Sequence, residues 1–556
     1  MKTKRILYFL LIFISLVQVG CSEMSRKPRP KKTEIVKEPE KLEPAIISQI
    51  SELLDLAVSE NGRAEDITLN NAPVVSSLYS ANDFNRIWST DKAWHPRADS
   101  FITLIRSAEY YGLFPTDYHA DALTGIFKKL GDSAYKSDAA LWARGELMLS
   151  DAFVSFAQHL RSGRIPRDSI SLNKDSVLTQ GFYDDLFSRL KGGEQPRALL
   201  EVLEPVHKGY HDLKALLPQF LDSMDRTRYT YIEFPWTDSM TFVKQLQNRL
   251  FESSYITFNT RTADSVELSY AVKKAQESRG LKVDGKAGLQ VVSSLNNTWL
   301  EKFRRIAINL DRYKQLPDSM PASYIWVNLP AFKMQVVDSG TVVLESKVIV
   351  GQPRTRTPVL NSQVSNFITF PQWTVPYSII FKEMLPKIQK SVKYLDKENL
   401  MVVDKNDSVI DPATIDWSKL NKKYFPYLLR QRQGDDNSLG VIKFNFRNKY
   451  DVYMHDTNAR SLFARSNRAL SHGCVRVQQW DSLSRYLIAK DSTNVPIDSV
   501  STWLARQEKH TVALKKKMPV YLRYFTCEVA EEGFIRFFDD IYGDDKVLRM
   551  KYFAKN

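Results

Sequence analysis

Cysteine is scarce in this chain of 556 residues: Cys21, Cys474 and Cys527 are the whole complement. That is too few for a disulfide-stapled fold, so each thiol needs its own explanation. Long apolar runs are scarce too. The stretch Ile6 to Val19 falls short of the ~20 apolar residues that a bilayer-spanning helix requires, which argues against a polytopic membrane protein. With 21 glycines and 24 prolines, the chain is neither collagen-like nor low in complexity. Basic blocks interleaved with stacking aromatics are missing, as is any RNA- or DNA-reading motif. The excess of 78 Lys and Arg over 64 Asp and Glu, a net charge of +14, therefore reads as a basic surface suited to an anionic neighbourhood, not as a nucleic-acid interface.

What is present is an ordinary globular composition, 43% hydrophobic and 26% charged, at a length that predicts three or four folded units at about 150 residues each. Lys2, Lys4 and Arg5 followed by the apolar run form the charged and apolar regions of a secretory signal over residues 1–20. Gly20-Cys21 resembles the end of a bacterial lipoprotein signal, in which the cysteine is acylated; Gln18 departs from that pattern, and a plain signal peptide with an incidental cysteine stays open. Pro28, Pro30, Pro39 and Pro44 among Lys and Glu make residues 21–45 an expected extended tether. These features predict a protein on the periplasmic side of the cell envelope, anchored to the outer or inner membrane through lipid on Cys21.

The expected fold class is multidomain α+β. Residues 46–235 read as helical: Ile46, Ile50, Leu53 and Leu54 recur at three- and four-residue spacing, and helix stops fall at Gly112 to Pro115 and Gly163 to Pro166. Over 255–300, Leu268 to Gln276 reads as an amphipathic helix that runs into a Gly280 to Gly288 turn and a short helix from Leu289. From Tyr324 the period changes to two, with Ile325, Val327 and Leu329, then Met334 and Val336, then Val342 to Val350. This predicts a β-rich domain over 320–530. Lys-rich mixed sequence over 378–430 interrupts it as an expected lid insertion, and 531–556 is left as a C-terminal extension.

The chemistry is concentrated at Tyr453-Met454-His455-Asp456 and, sixteen residues after His455, at Ser471-His472-Gly473-Cys474-Val475-Arg476. A thiol with a pKa near ~8.5 needs a base within hydrogen-bond reach to become a nucleophile at neutral pH. Gly473 lets a carbonyl approach the backbone, where the N–H groups of Gly473 and Cys474 can meet an oxyanion. A buried, inert thiol is the rival reading, and it fits Cys527, in the alternating run Val520 to Val529, better than Cys474. Zinc on His455, His472 and Cys474 is disfavoured, because residues 472 and 474 chelate poorly and a fourth ligand at suitable spacing is lacking.

The run from His455 to Ser471-His472-Gly473-Cys474-Val475-Arg476 closely resembles the active-site signature of the L,D-transpeptidases, enzymes that cross-link bacterial peptidoglycan. Gly351 with Thr357-Pro358, Pro371 to Pro376 and Ser438-Leu439-Gly440 ahead of Lys443-Phe444 support the likeness. Tyr111 to His119 and Gln158 to Pro166 resemble the helical scaffold of the large Gram-negative type, and 255–300 resembles a three-helix peptidoglycan-binding domain, with Ala275 where an aromatic is usual. The resemblance implies Cys474 as nucleophile on a donor tetrapeptide stem and His455 as general base. An acceptor stem then resolves the thioester, and neither cofactor nor metal is needed. His472, two residues from Cys474, competes for the base role if the two share a strand face. Arg476 is either a carboxylate anchor or one half of a structural ion pair. Ser471 and Tyr453 are candidate orienters, and Trp373 lines either the substrate cleft or a core. Water, a free D-amino acid or a lipoprotein amine could resolve the same thioester, and a vestigial site on a wall-binding scaffold is the non-enzymatic alternative. If the likeness holds, a carbapenem acylates Cys474, and intact-protein mass spectrometry with peptide mapping places the adduct there; labelling at Cys527 instead would contradict the assignment.

Overall fold

The computed structural model describes residues 32–166, 178–491 and 495–553. The expected signal over 1–20 and the acylation candidate Cys21 lie outside these residues. Contacts divide the chain into two compact units, one drawn from residues 1–102, 118–155 and 180–194 and the other from 103–117, 156–179 and 195–556. Segments of the helical stretch expected over 46–235 fall in both units. No described helix is long and apolar enough to cross a membrane.

In the first unit the extended tether does not reach residue 45. Val36 N–H donates to the Ser137 carbonyl at 2.8 Å, and helix α1 (Leu42–Ser59) buries Leu42, Ile46, Ile50, Leu53 and Leu54 on one face. The apolar spacing is strong enough to carry the helix through Pro44, because a proline in the first turn lacks only a donor that would be unpaired anyway. Trp88, Phe101 and Phe153 pack ring against ring. Nearby Glu146 is fully buried, accepting from Tyr79 Oη at 3.0 Å and Ser89 Oγ at 2.6 Å.

The second unit contains a small three-helix module made of α2 (Ser239–Glu252), α3 (Ser265–Ser278) and α4 (Leu289–Asn296). It begins earlier than the expected residue 255. Phe242, Leu246 and Leu250 from α2 share a core with Ala271, Val272, Ala275, Val292 and Leu295. The signal for α2 was available: Asp238 caps it by accepting from Thr241 N–H at 2.8 Å, and its apolar residues recur every four positions. Ala275 is fully buried, so the missing aromatic is absorbed into a tighter core. Helix α5 (Trp299–Tyr313) follows, packing Phe303, Ile306 and Leu310 against a second cluster that also holds Cys527 and Phe553.

The β-rich domain is built on strands β1 (Ser323–Asn328), β2 (Lys333–Asp338), β3 (Thr341–Gly351) and β4 (Leu360–Thr369). After the insertion come β5 (Ile442–Phe446), β6 (Met454–His455), β7 (Ala469–Ser471), β8 (Val475–Val477) and β9 (Thr511–Arg523). Their order is β7-β3-β8-β6-β5-β4-β9-β1-β2, and β2 also pairs with β3. The sheet thereby closes on itself, with the short β7 left paired on one side only. Val327, Val348, Phe367, Phe444, Met454, Val475 and Val520 fill the interior.

Three sequence expectations change here. The insertion is more than a lid loop: Trp373–Thr374, Leu400–Val403, Val409–Ile410 and Leu428–Gln431 form a separate four-stranded sheet, and Ile380, Ile388, Val402, Trp417 and Leu429 give it a core of its own. The run Val520 to Val529 is broken, because β9 ends at Arg523 and Cys527 opens β10 (Cys527–Val529), which pairs with β11 (Ile535–Phe537). The segment after 531 is integral to the domain, with Tyr542 and Phe553 buried.

Truncating Leu250 to Ala removes a fully buried side chain from the small module, at an expected cost of about 3 kcal/mol. Hydrogen exchange should then lose protection in α3 and α4; unchanged protection there would show that α2 is not part of that core.

Candidate active site

Strand register brings the sequence-singled residues together. Met454 pairs with Val475 and His455 with Arg476 across the parallel β6–β8 ladder, while Lys443 of β5 pairs with His455 on the other side. Because side chains alternate along a strand, Met454 and Val475 enter the barrel core while Lys443, His455 and Arg476 share the opposite face. Tyr453 and Cys474 stand one step before these pairs, and Val475 N–H donates to the Tyr453 carbonyl at 3.1 Å.

Cys474 lies in the turn between β7 and β8, partly exposed by area. Its sulfur is hydrogen-bonded by Tyr453, through both the phenol hydroxyl and the backbone. Burial pushes the thiol up from its ordinary value, and the Tyr453 donors together with the nearby charges of Lys443 and Arg476 push it back down. Tyr453 was expected to be a peripheral orienter, yet it is the sulfur's direct partner. The indole of Trp373 bonds its hydroxyl, its ring stands 5.6 Å from that of His455, and the Lys443 ammonium sits 4.0 Å above its ring centroid. Trp373 therefore reaches the site through Tyr453, from a strand of the insertion that pairs with Gln431.

His455 is 4% exposed. Backbone groups of Asp456 and Leu439 hold its ring, and its Nδ1 is buried without a hydrogen-bond partner. Burial, with the Arg476 and Lys443 charges, lowers its pKa to about 3. The imidazole is neutral at physiological pH. Arg476 and Lys443 are both pushed down by burial. Arg476 has no carboxylate partner among the described residues and a buried, unpaired Nε, which removes the structural ion-pair reading. Lys443 was quoted in the sequence only as part of a motif; its place opposite His455 depends on the β5–β6 register.

Two expectations for the loop are corrected. His472 does not share a strand face with Cys474, because Gly473 adopts φ +124° and the strand is interrupted. The His472 ring instead pairs with Glu383 of the insertion at 2.9 Å, both side chains being exposed. Nor is the Gly473 N–H available to an oxyanion, since it donates to Ser471 Oγ at 3.1 Å. Ser471 in turn donates to the Cys474 carbonyl at 2.6 Å, so its role is to brace the turn. Thr357 Oγ1 donates to the Gly473 carbonyl at 2.8 Å and accepts from Gly351 N–H at 2.8 Å. The described residues contain no cluster of His, Cys, Asp and Glu that could hold a metal.

A buried neutral imidazole, a partly exposed thiol and two cations without a carboxylate partner among the described residues thus stand together at the β6–β8 pairing. Residues 322–497 match the family model of the L,D-transpeptidase catalytic domain, 73–217 that of a scaffold domain, and 239–295 that described as "Putative peptidoglycan binding domain". The chain thus carries an L,D-transpeptidase catalytic domain together with scaffold and peptidoglycan-binding-type domains, in a multidomain α+β arrangement. A Haemophilus influenzae protein named "Putative L,D-transpeptidase" is 38% identical over 247 residues, 44% of this chain and 49% of that protein. The match therefore spans about half of the relative's length. Among solved structures, an Enterococcus faecium L,D-transpeptidase is 13% identical over 37% of this chain and 50% of its own, with a TM-score of 0.17. A Stackebrandtia nassauensis L,D-transpeptidase is 15% identical over 53% and 97%, with a TM-score of 0.16. Superpositions of that size carry no structural argument.

His455 should leave a signature in stability. The unfolded imidazole protonates near pH ~6.5, whereas the folded one resists protonation to about 3. The stability tied to the neutral ring is thus complete above pH ~6.5 and declines as pH falls towards 3, by up to about 1.4 kcal/mol per pH unit. Urea unfolding of the catalytic domain between pH 6.5 and 4 should show a shallower pH dependence in His455→Gln than in the parent; equal slopes would refute the depressed pKa.

Proposed function

We propose that the protein is an envelope L,D-transpeptidase that joins the third residues of adjacent peptidoglycan stems, with Cys474 as nucleophile and His455 as general base. The observation that carries this reading is the shared face on which a free Nδ1 of His455, the unpaired Arg476 and Lys443, and the Tyr453-bonded thiol lie together.

The Cys474 proton passes to His455 as sulfur adds to the carbonyl carbon between the third and fourth residues of a tetrapeptide stem. The Cys474 N–H meets the oxyanion, the Gly473 N–H and the Tyr453 hydroxyl both being engaged. Collapse breaks the C–N bond, and the leaving D-alanine nitrogen takes the proton from His455, leaving a thioester. An acceptor amine then attacks that carbonyl: its C–N bond forms, the C–S bond breaks, and the amine proton returns through His455 to the sulfur.

The resting site holds proton transfer back, because the two cations that depress His455 also disfavour an imidazolium. A donor carboxylate landing on Arg476 or Lys443 neutralises that charge and raises the proton affinity of the base. Substrate binding thereby arms the site, and an enzyme without substrate keeps its thiol protonated and less open to oxidation. In the same reading the chain is exported, Cys21 is acylated, and the catalytic domain works on the periplasmic side of a membrane; the basic composition fits an anionic wall.

Incubating the full chain without its signal with tetrapeptide muropeptides should yield dimers lacking one D-alanine, detected by mass spectrometry. Cys474→Ala should abolish them, and His455→Gln should slow acylation by about 10²- to 10⁴-fold. Neither dimer nor thioester adduct from the parent would sink the reading, and hydrolysed tripeptide without dimer would identify a carboxypeptidase.

A further inference from the structure

A cavity of about 770 Å³ has His472 and Gly473 in its wall but none of Cys474, His455 or Tyr453. It thus abuts the cysteine turn at His472 and Gly473. Its volume falls in the range of sites that enclose small ligands, about 300–1,000 Å³. The wall is basic, with Arg312, Arg356, Arg523 and Lys551 in the lining against one carboxylate, Asp544, which is paired with Arg356 at 2.9 Å. Rings of Tyr450, Tyr524, Tyr542 and Tyr552 line it as well.

Some of these cations are held in place before any ligand arrives. Arg312 is braced by Asp545 and lies over the Tyr524 ring, while Arg523, 5% exposed, is directed by the carbonyls of Leu360 and Leu522. Lys551 is exposed, with no carboxylate in ion-pair range among the described residues. The wall is also tied to the nucleophile's turn. Tyr542 Oη donates to the Gly351 carbonyl at 2.8 Å and accepts from Thr357 N–H at 3.1 Å, and the Thr357 hydroxyl holds the Gly473 carbonyl.

A cross-linking enzyme must hold two stems at once, and the insertion meets the site at His472 and Tyr453. Resting on the transpeptidase reading above, we propose that this cavity seats the acceptor stem, its carboxylates on Arg312, Arg523 and Lys551 and its side-chain amine directed towards the thioester by way of the Gly473 turn that the cavity borders. The attraction is between a net positive, partly desolvated wall and a peptide that ends in carboxylates, and the tyrosine rings supply stacking surface for the attached sugar.

The test uses the full chain without its signal. In Lys551→Glu, and in Val547→Trp, which narrows the cavity at a half-exposed lining position, the ratio of dimer to hydrolysed tripeptide released from the same thioester should fall about tenfold. A ratio within about twofold of the parent's in both variants overturns the proposal. A second arm is independent of turnover: a tripeptide muropeptide, which cannot serve as a tetrapeptide donor, should bind Cys474→Ala saturably in calorimetry, and Lys551→Glu in that background should weaken it about tenfold. Undiminished binding overturns the proposal. Absence of any thioester in the parent overturns the transpeptidase reading alone, and the binding arm still decides the cavity.

Discussion

The parallel pairing of Met454-His455 with Val475-Arg476 is the constraint on which the site depends. Two short strands put their apolar members into the barrel and their polar members on the other face, so the burial that stabilises the domain also places His455 beside the strand that follows the cysteine turn. A one-residue slip would send His455 and Arg476 into the apolar core and expose Met454 and Val475, at a cost of several side chains' worth of hydrophobic burial. Register is therefore set by the core and inherited by the chemistry.

Around that pairing the catalytic turn is held by short-range polar bonds. Ser471 closes the turn on itself through the Gly473 N–H and the Cys474 carbonyl, and Thr357 secures the Gly473 carbonyl from below. These bonds fix the left-handed Gly473, a conformation that a side chain would strain. The insertion adds contacts from another direction, with Trp373 on Tyr453 and Glu383 on His472. The electrostatics follow from burial combined with unpaired positive charge: His455 is kept neutral, and the thiol is balanced between desolvation, which favours its protonated form, and donors that favour the thiolate.

Much of this was legible from one chain. The change of period at Tyr324, the Gly351 boundary and the convergence of His455 with Ser471 to Arg476 are local patterns, and local patterns survive in sequence. The helix Ser239–Glu252 could have been read from its Asp238 cap and four-residue apolar spacing. What could not be read were pairings between distant segments. Tyr453 becomes the sulfur's partner only because β6 and β8 are neighbours, Lys443 joins the site only through the β5–β6 ladder, and the segment after 531 lines a cavity because Tyr542 reaches Gly351 and Thr357.

The sequence by itself determined which residues are candidates for the chemistry and which alternate into a core, because residue type and periodicity are properties of the chain alone. It separated Cys474 from Cys527 on the same grounds. Tertiary structure decided which neighbours each group has: it engaged the Gly473 N–H with Ser471, sent His472 to Glu383, left Arg476 without a carboxylate partner among the described residues and gave the insertion its own core. The reason is physical. Hydrogen-bond partners and local charge are set by distances through space, and a fold brings together residues whose separation along the chain says nothing of those distances.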